Sequence, residues 1–180
     1  MALELNIDES WTLFLDRDGV INKKRDNDYV KSWEEFEFLP DVLSALRFIG
    51  NFFGTIVIVT NQQGIGKELM TKDDIKDIHG KMMAKIEEAG GRIDRIYYCP
   101  DLEEEGSPCR KPEIGMALWA KRDFPEIDFK KAIMVGDSPS DLKFGINKGM
   151  KSFLITDDQK AVDSSDYVVK SLLDFIMSIM

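Results

Sequence analysis

Five largely apolar residues, Trp11 to Leu15, are followed at once by Asp16-Arg17-Asp18-Gly19. A run this short and continuous leaves no polar face for solvent, which is the pattern of a strand buried on both sides in a parallel sheet. Asp16 and Asp18 then stand where a strand ends. In open α/β sheets ligands bind at that end, because loops diverge around a crevice there. Carboxylates at i and i+2 can face one side and share a cation. Asp-Arg-Asp-Gly is equally good turn chemistry, so the rest of the chain has to decide.

The pattern recurs. Thr55 to Val59 is a β-branched run ending in Thr60 and Asn61, Ile93 to Tyr98 reads as a third strand, and Ala132 to Val135 as a fourth, followed by Gly136-Asp137-Ser138-Pro139-Ser140-Asp141. Ser152 to Ile155 and Tyr167 to Val169 are weaker strand signals. Helical spacing fills the intervals. Pro40 opens a segment with Val42, Leu43, Leu46 and Ile49 on one face. Thr71, with Asp74 at N3, caps a long helix whose stripe is Ile75, Ile78, Met82, Met83 and Ile86. Glu113 to Arg122 is expected to turn Ile114, Leu118 and Trp119 inward, and Leu142 to Lys148 and Ser171 to Met177 close the series. Lys23 to Leu39, aromatic but aperiodic, reads as a packed loop over the sheet's end. Strands alternating with helices predict an α/β fold, a parallel sheet with helices on both faces, with residues 1–180 as one domain.

Composition bounds the function. An apolar content of 43% with 32% charged residues is globular rather than disordered. A net charge of −9 opposes broad nucleic-acid binding, which needs a basic surface, but leaves room for a small anionic substrate where cations are concentrated. No basic leader or membrane-length apolar run is present, so a cytoplasmic protein without a membrane partner is expected, as a monomer or small homo-oligomer. Cys99 and Cys109 are too few for a disulfide framework. The lone histidine, His79, sits near the apolar stripe of the long helix and reads as a packing or surface residue. Gly64 and Gly66 fit no nucleotide loop: Asn61 and Glu68 break the P-loop pattern, and Leu69 breaks the dinucleotide one.

The strand ends bring together Asp16 and Asp18, Thr60 and Asn61, a loop delivering Arg110 and Lys111, and Asp137 with Asp141. Phosphoryl transfer wants such a set. A carboxylate can attack phosphorus, but anion meeting anion needs a divalent cation and fixed positive charge. Asp16 and Asp137 can hold Mg²⁺, Lys111 and Thr60 can stabilise the phosphoryl oxygens, and Asp18 can protonate the leaving oxygen and then activate water.

FLDRDGVIN, VIVTNQQGIG, CRKPEIGM and IMVGDSPSD together resemble the four motifs of the haloacid dehalogenase superfamily, subfamily IIIA, and within it the branch of heptose-bisphosphate and histidinol-phosphate phosphatases. The resemblance implies a three-layer α/β/α Rossmann-like fold with a central parallel sheet. It assigns Asp16 as nucleophile, Asp18 as acid/base, and Thr60 and Lys111 as phosphoryl stabilisers. Asp16, Asp137 and the Asp18 carbonyl become Mg²⁺ ligands, and Asn61 and Arg110 substrate-recognition residues.

Relatives of this branch usually carry a zinc loop. Here Asp101 and Ser107 replace two of its ligands, so no structural Zn²⁺ is expected, and Cys99 and Cys109 are read as free thiols. About fifty residues separate Thr60 from Lys111, mostly helix and strand, which leaves no space for a separate cap domain. The expected substrate is a small phosphorylated metabolite, a sugar phosphate such as D-glycero-D-manno-heptose 1,7-bisphosphate ahead of histidinol phosphate. A nucleic-acid 3′-phosphate is disfavoured by acidity. A receiver domain would carry its acceptor aspartate on the third strand, and a non-catalytic scaffold would not need Asp16, Asp18, Lys111 and Asp137 together.

Overall fold

The apolar runs become strands in the computed structural model, which describes residues 5–158 and 167–180. In chain order the regular elements are β1 (Thr12–Leu15), α1 (Val42–Ile49), β2 (Thr55–Asn61), α2 (Lys72–Glu88), β3 (Arg95–Cys99), α3 (Gly115–Asp123), β4 (Ala132–Gly136), α4 (Pro139–Lys148), β5 (Lys151–Ile155), β6 (Tyr167–Val169) and α5 (Leu172–Ile179). The strands form one sheet in the order β3-β2-β1-β4-β5-β6, every neighbouring pair parallel. Strand order reverses between β1 and β4. A crevice opens at the carboxyl ends there, because the connections leave in opposite directions.

Two-residue alternation divides the core. Leu13, Leu15, Ile56, Ile58, Ile133 and Val135 join the apolar cluster that includes α1, α2 and α5. Phe14, Val57, Val59 and Met134 point to the other side, against Met116, Ala117 and Ala120 of α3 and Phe144 of α4. A sheet covered on both faces needs apolar residues at successive positions, and all four residues of β1 are buried. The result is the expected three-layer α/β/α arrangement.

Caps set the helix starts. Thr71 accepts from the Asp74 N–H at 3.1 Å and Asp74 accepts from the Thr71 N–H at 2.7 Å, the reciprocal cap expected for α2. The α4 helix starts at Pro139, three residues ahead of the expected Leu142. Ser138 N–H donates to Asp141 Oδ2 at 3.1 Å, and Pro139 is preorganised for the first turn. The face of α3 also differs from expectation. Leu118 and Trp119 are 47% and 37% exposed, and the inward face is Met116, Ala117 and Ala120, of which the two small alanines let this short helix lie close to the sheet.

The segment 23–39 packs as expected, with Trp33 stacked on Phe36 at 4.9 Å and Phe38 edge-on to Phe36. The expectation of free thiols is corrected: Cys99 and Cys109 form a disulfide. The end of β3 and its following loop bring their Cα atoms to 5.6 Å, inside the bonding range, a proximity that linear spacing does not reveal. Among the described residues no helix is long and apolar enough to cross a membrane.

Candidate active site

Asp16 follows directly on β1 and extends its ladder, its N–H donating to the Val135 carbonyl of β4 at 3.0 Å. Its carboxylate is almost closed off from solvent. Oδ1 accepts from the Arg17 N–H at 2.7 Å and lies 3.0 Å from Lys111 Nζ. Burial, then repulsion from Asp141, pushes the Asp16 carboxyl up to about 7 against the pull of Lys111. Lys111 arrives from the loop after β3 and is buried. Its ammonium donates to the Val59 carbonyl at 2.7 Å and to Asp141 Oδ1 at 2.6 Å. Burial alone would lower its pKa, but Asp141 and Asp16 outweigh burial and hold it above the usual lysine value.

Asn61, at the end of β2, clamps that loop. Its amide donates to the Lys111 carbonyl at 3.1 Å and accepts from the Lys111 N–H at 2.9 Å. The side chain expected to read substrate is therefore engaged in holding the peptide of Lys111.

Carboxylate oxygens of Asp16, Asp137 and Asp141 lie within 4.8 Å of one another. Asp141 is spent: Oδ1 meets Lys111, and Oδ2 accepts from the N–H groups of Asp137 and Ser138. Asp137 has capacity, since Oδ1 is buried without a hydrogen-bond partner while Oδ2 meets Lys24 Nζ at 2.9 Å. An orphaned carboxylate oxygen beside Asp16 is an all-oxygen donor set, which suits a hard divalent cation such as Mg²⁺. Gly19 makes the approach possible. It sits at φ +87°, and a Cβ there would fall 2.2 Å from Asp137 Oδ2.

Asp18 faces a separate network. Arg17 Nη2 donates to both its oxygens at 2.9 and 3.1 Å, Asn22 Nδ2 to Oδ1 at 2.9 Å, and Gln62 Nε2 to Oδ2 at 2.8 Å. Burial would raise its pKa, but the Arg17 charge and these hydrogen bonds hold it below the usual carboxylate range. Gln62 also donates to Thr60 Oγ1 at 2.9 Å, linking Asp18 to a fully buried hydroxyl that keeps its own proton for another acceptor.

These groups border a cleft of about 230 Å³, lined by Asp16, Asp18, Asn61, Gln62, Arg110 and Lys111 and, from the 23–39 segment, by Lys24, Arg25, Asp28 and Tyr29. Arg110 Nη1 is buried and unpartnered there. The structure thus gathers the expected residues, with Thr60 and Asp137 just beneath the cleft lining. Arg17, Gln62, Lys24 and Arg25 were not singled out as site residues from sequence, and Asp141, expected beside Asp137 at the fourth strand end, was given no role. Asp141 carried a signal, its place at N3 after Ser138, and Arg17 and Gln62 flank residues that were chosen.

Beside the cleft, Asp101 Oδ2 and Ser107 Oγ lie 3.4 and 3.3 Å from Cys109 Sγ. The sulfurs of Cys99 and Cys109, here bonded to each other, and a carboxylate oxygen of Asp101 lie within 4.8 Å of one another.

A doubly wound parallel sheet with a carboxylate pair after its first strand, a buried lysine on its third loop and a second acidic pair after its fourth defines a phosphoryl-transfer hydrolase. Comparison with known proteins agrees. Residues 12–168 match the family described as polynucleotide kinase 3 phosphatase. A D-glycero-alpha-D-manno-heptose-1,7-bisphosphate 7-phosphatase of Mycobacterium bovis is 42% identical over 76% of this chain and 72% of its own length. The beta-anomer 7-phosphatase of Haemophilus influenzae is 36% identical over 90% and 92%. The crystal structure of D,D-heptose 1,7-bisphosphate phosphatase from B. bronchiseptica, complexed with magnesium and phosphate, superposes with a TM-score of 0.83 at 30% identity, covering 93% of this chain and 96% of that one. The chain belongs to the haloacid dehalogenase superfamily of phosphatases.

Proposed function

We propose that the chain hydrolyses a phosphomonoester of a small sugar, with D-glycero-D-manno-heptose 1,7-bisphosphate as the substrate, through an aspartyl-phosphate on Asp16. The observation that carries this reading is the Asp16 carboxylate at the floor of the cleft, 3.0 Å from the buried Lys111 ammonium and beside the unpartnered oxygen of Asp137. An oxygen of Asp16 attacks phosphorus as the bond to the sugar oxygen breaks. Asp18, ionised in the resting site, takes up a proton as the monoester binds and passes it to that oxygen. Water then attacks the phosphorus, Asp18 takes the water's proton, and the bond to Asp16 breaks to release phosphate. The Thr60 hydroxyl donates to a phosphoryl oxygen, and the Lys111 ammonium, held by Val59 and Asp141, turns the proton it shares with Asp16 toward the phosphoryl group as charge develops there. Asp16, Asp137 and the Asp18 carbonyl would hold Mg²⁺, which when bound supplies charge neutralisation for the approach of two anions.

Substrate choice follows from the cleft mouth. Arg110, with Nη1 buried and unpartnered, offers positive charge for a second anionic group, while Lys24 and Arg25 are engaged by Asp137 and Asp28; Asp28 and the Tyr29–Gln63 pair, hydrogen-bonded at 2.8 Å, offer acceptors and donors to hydroxyls. A bisphosphorylated sugar presents both features. An oligonucleotide end would meet a chain of net charge −9 and Asp28 at the mouth.

The test is phosphate release from both anomers of heptose 1,7-bisphosphate, histidinol phosphate, other sugar phosphates and a 3′-phosphorylated oligonucleotide, with Mg²⁺ and with chelator. The reading requires a heptose bisphosphate to give the highest kcat/KM, and turnover to stop with chelator. A preference for histidinol phosphate or the oligonucleotide refutes the sugar assignment.

A further inference from the structure

The guanidinium of Arg17 that holds Asp18 meets, on its other side, the imidazole of His79. Arg17 is fully buried, although its neighbours in sequence are the two site aspartates. A guanidinium carries only donors, so each buried N–H has to find an acceptor. Nη2 reaches Asp18 and, at 3.4 Å, Gln62 Oε1. Nη1 reaches His79 Nε2 at 3.1 Å. Nε has no partner. His79 is therefore the acceptor that anchors the far corner of the fork.

That bond fixes the state of the imidazole. Because Arg17 can only donate, His79 Nε2 must carry its lone pair, and the ring is neutral with its proton on Nδ1. Burial and the Arg17 charge keep it so, holding the ring's pKa at about 3. Tyr98 packs edge-on to the ring at 6.0 Å and restricts its tilt. His79 is absent from the cleft and lines a groove on the α2 surface with Met83, Ile96 and Tyr98. It does not touch substrate.

We infer that His79 is a positioning residue for proton transfer: by accepting from Arg17 Nη1 it turns Nη2 onto the carboxylate of Asp18 and fixes that carboxylate for the leaving oxygen. The inference rests on the acid/base role of Asp18 proposed above. Without an acceptor at position 79, two of the three guanidinium nitrogens would be buried and unpartnered. The fork would then turn away from Asp18 or draw water in.

The test separates proton transfer from folding through the leaving group. A sugar alkoxide needs a proton as it departs, whereas p-nitrophenolate leaves without one. Rapid-quench bursts with p-nitrophenyl phosphate and steady-state rates with the best sugar phosphate of the panel would be measured for His79→Leu, His79→Gln and Asp18→Asn, with folding checked by circular dichroism. Asp18→Asn should lose sugar phosphate turnover by about 100-fold or more yet keep its nitrophenolate burst. His79→Leu should follow it part way, with kcat on the sugar phosphate down about 10- to 100-fold, KM within about twofold and the burst nearly intact. Gln offers an acceptor, so His79→Gln should recover to within about threefold of wild type. Should His79→Leu not fold, Arg17→Lys, which keeps the charge and loses the fork, carries the same comparison. Equal loss on both substrates, or no loss on either, overturns the inference. An Asp18→Asn enzyme that still turns over sugar phosphates overturns instead the role of Asp18 beneath it.

Discussion

Lys111 Nζ lies 2.6 Å from Asp141 Oδ1, with both side chains closed off from solvent and Asp16 only 3.0 Å away on the same ammonium. Asp141 thus balances the lysine that the nucleophile also uses, while its other oxygen caps α4. Removing one member of a buried pair strands the other charge, so Asp141→Ala should lose about 3 to 5 kcal/mol of stability, read from urea unfolding midpoints. A loss under about 1 kcal/mol would mean that the pair is hydrated and the site more open than described.

Mg²⁺ binding should depend on pH through Asp16. Burial and Asp141 push that carboxyl up to about 7, so below this value a cation must displace a proton. Apparent Mg²⁺ affinity, measured by calorimetry without substrate, should therefore weaken about tenfold per pH unit below about pH 7 and level off above it. A flat profile from about pH 5.5 to 8 would contradict the buried, repelled carboxyl.

Gly19→Ala tests the contact that seats Asp137. A methyl at φ +87° is strained by about 1 kcal/mol, and its Cβ would fall 2.2 Å from Asp137 Oδ2. The variant should fold, bind Mg²⁺ at least about tenfold more weakly and lose kcat in proportion. Unchanged Mg²⁺ affinity would remove Asp137 from the metal site.

Acid should destabilise the fold through His79. Its pKa falls from 6.5 to about 3 on folding, so between these values the unfolded chain binds the extra proton. The stability this group contributes is present above about pH 6.5 and is lost as pH falls toward 3. His79→Gln should flatten that part of the stability profile between about pH 7 and pH 5. An equal acid slope in both proteins would show that the imidazole is hydrated.

The disulfide gives a chemical readout. The folded protein should show no reactive thiol and two after reduction in denaturant, since Cys99 and Cys109 are the chain's cysteines and they are joined. Two thiols in the untreated protein would restore the free-thiol state.

The strands were legible because continuous apolar runs such as Leu13 to Leu15 and Ile56 to Val59 have one reading when both sheet faces are covered. Strand ends then located Asp16, Thr60 and Asp137 without coordinates. The face of α3 was misread because size was taken for burial: Ala117 and Ala120 face the sheet where close approach favours small side chains, and Trp119 is left outside. Contacts across long separations were invisible. Arg17 meets His79 across 62 positions, and no periodicity in α2 distinguishes an imidazole that packs from one that accepts a specific hydrogen bond.

The central claim is that Asp16 carries the phosphoryl group. The most direct measurement is acid quench of the enzyme with Mg²⁺ and sugar phosphate in the first turnover, followed by mass spectrometry of the peptide spanning Asp16 and Asp18. The account predicts one phosphoryl group on Asp16, absent with chelator and absent in Asp16→Asn, which should also lose turnover by about 1000-fold or more. Mg²⁺-dependent phosphate release with no phosphorylated aspartate at any quench time, or with Asp16→Asn still active, would contradict it.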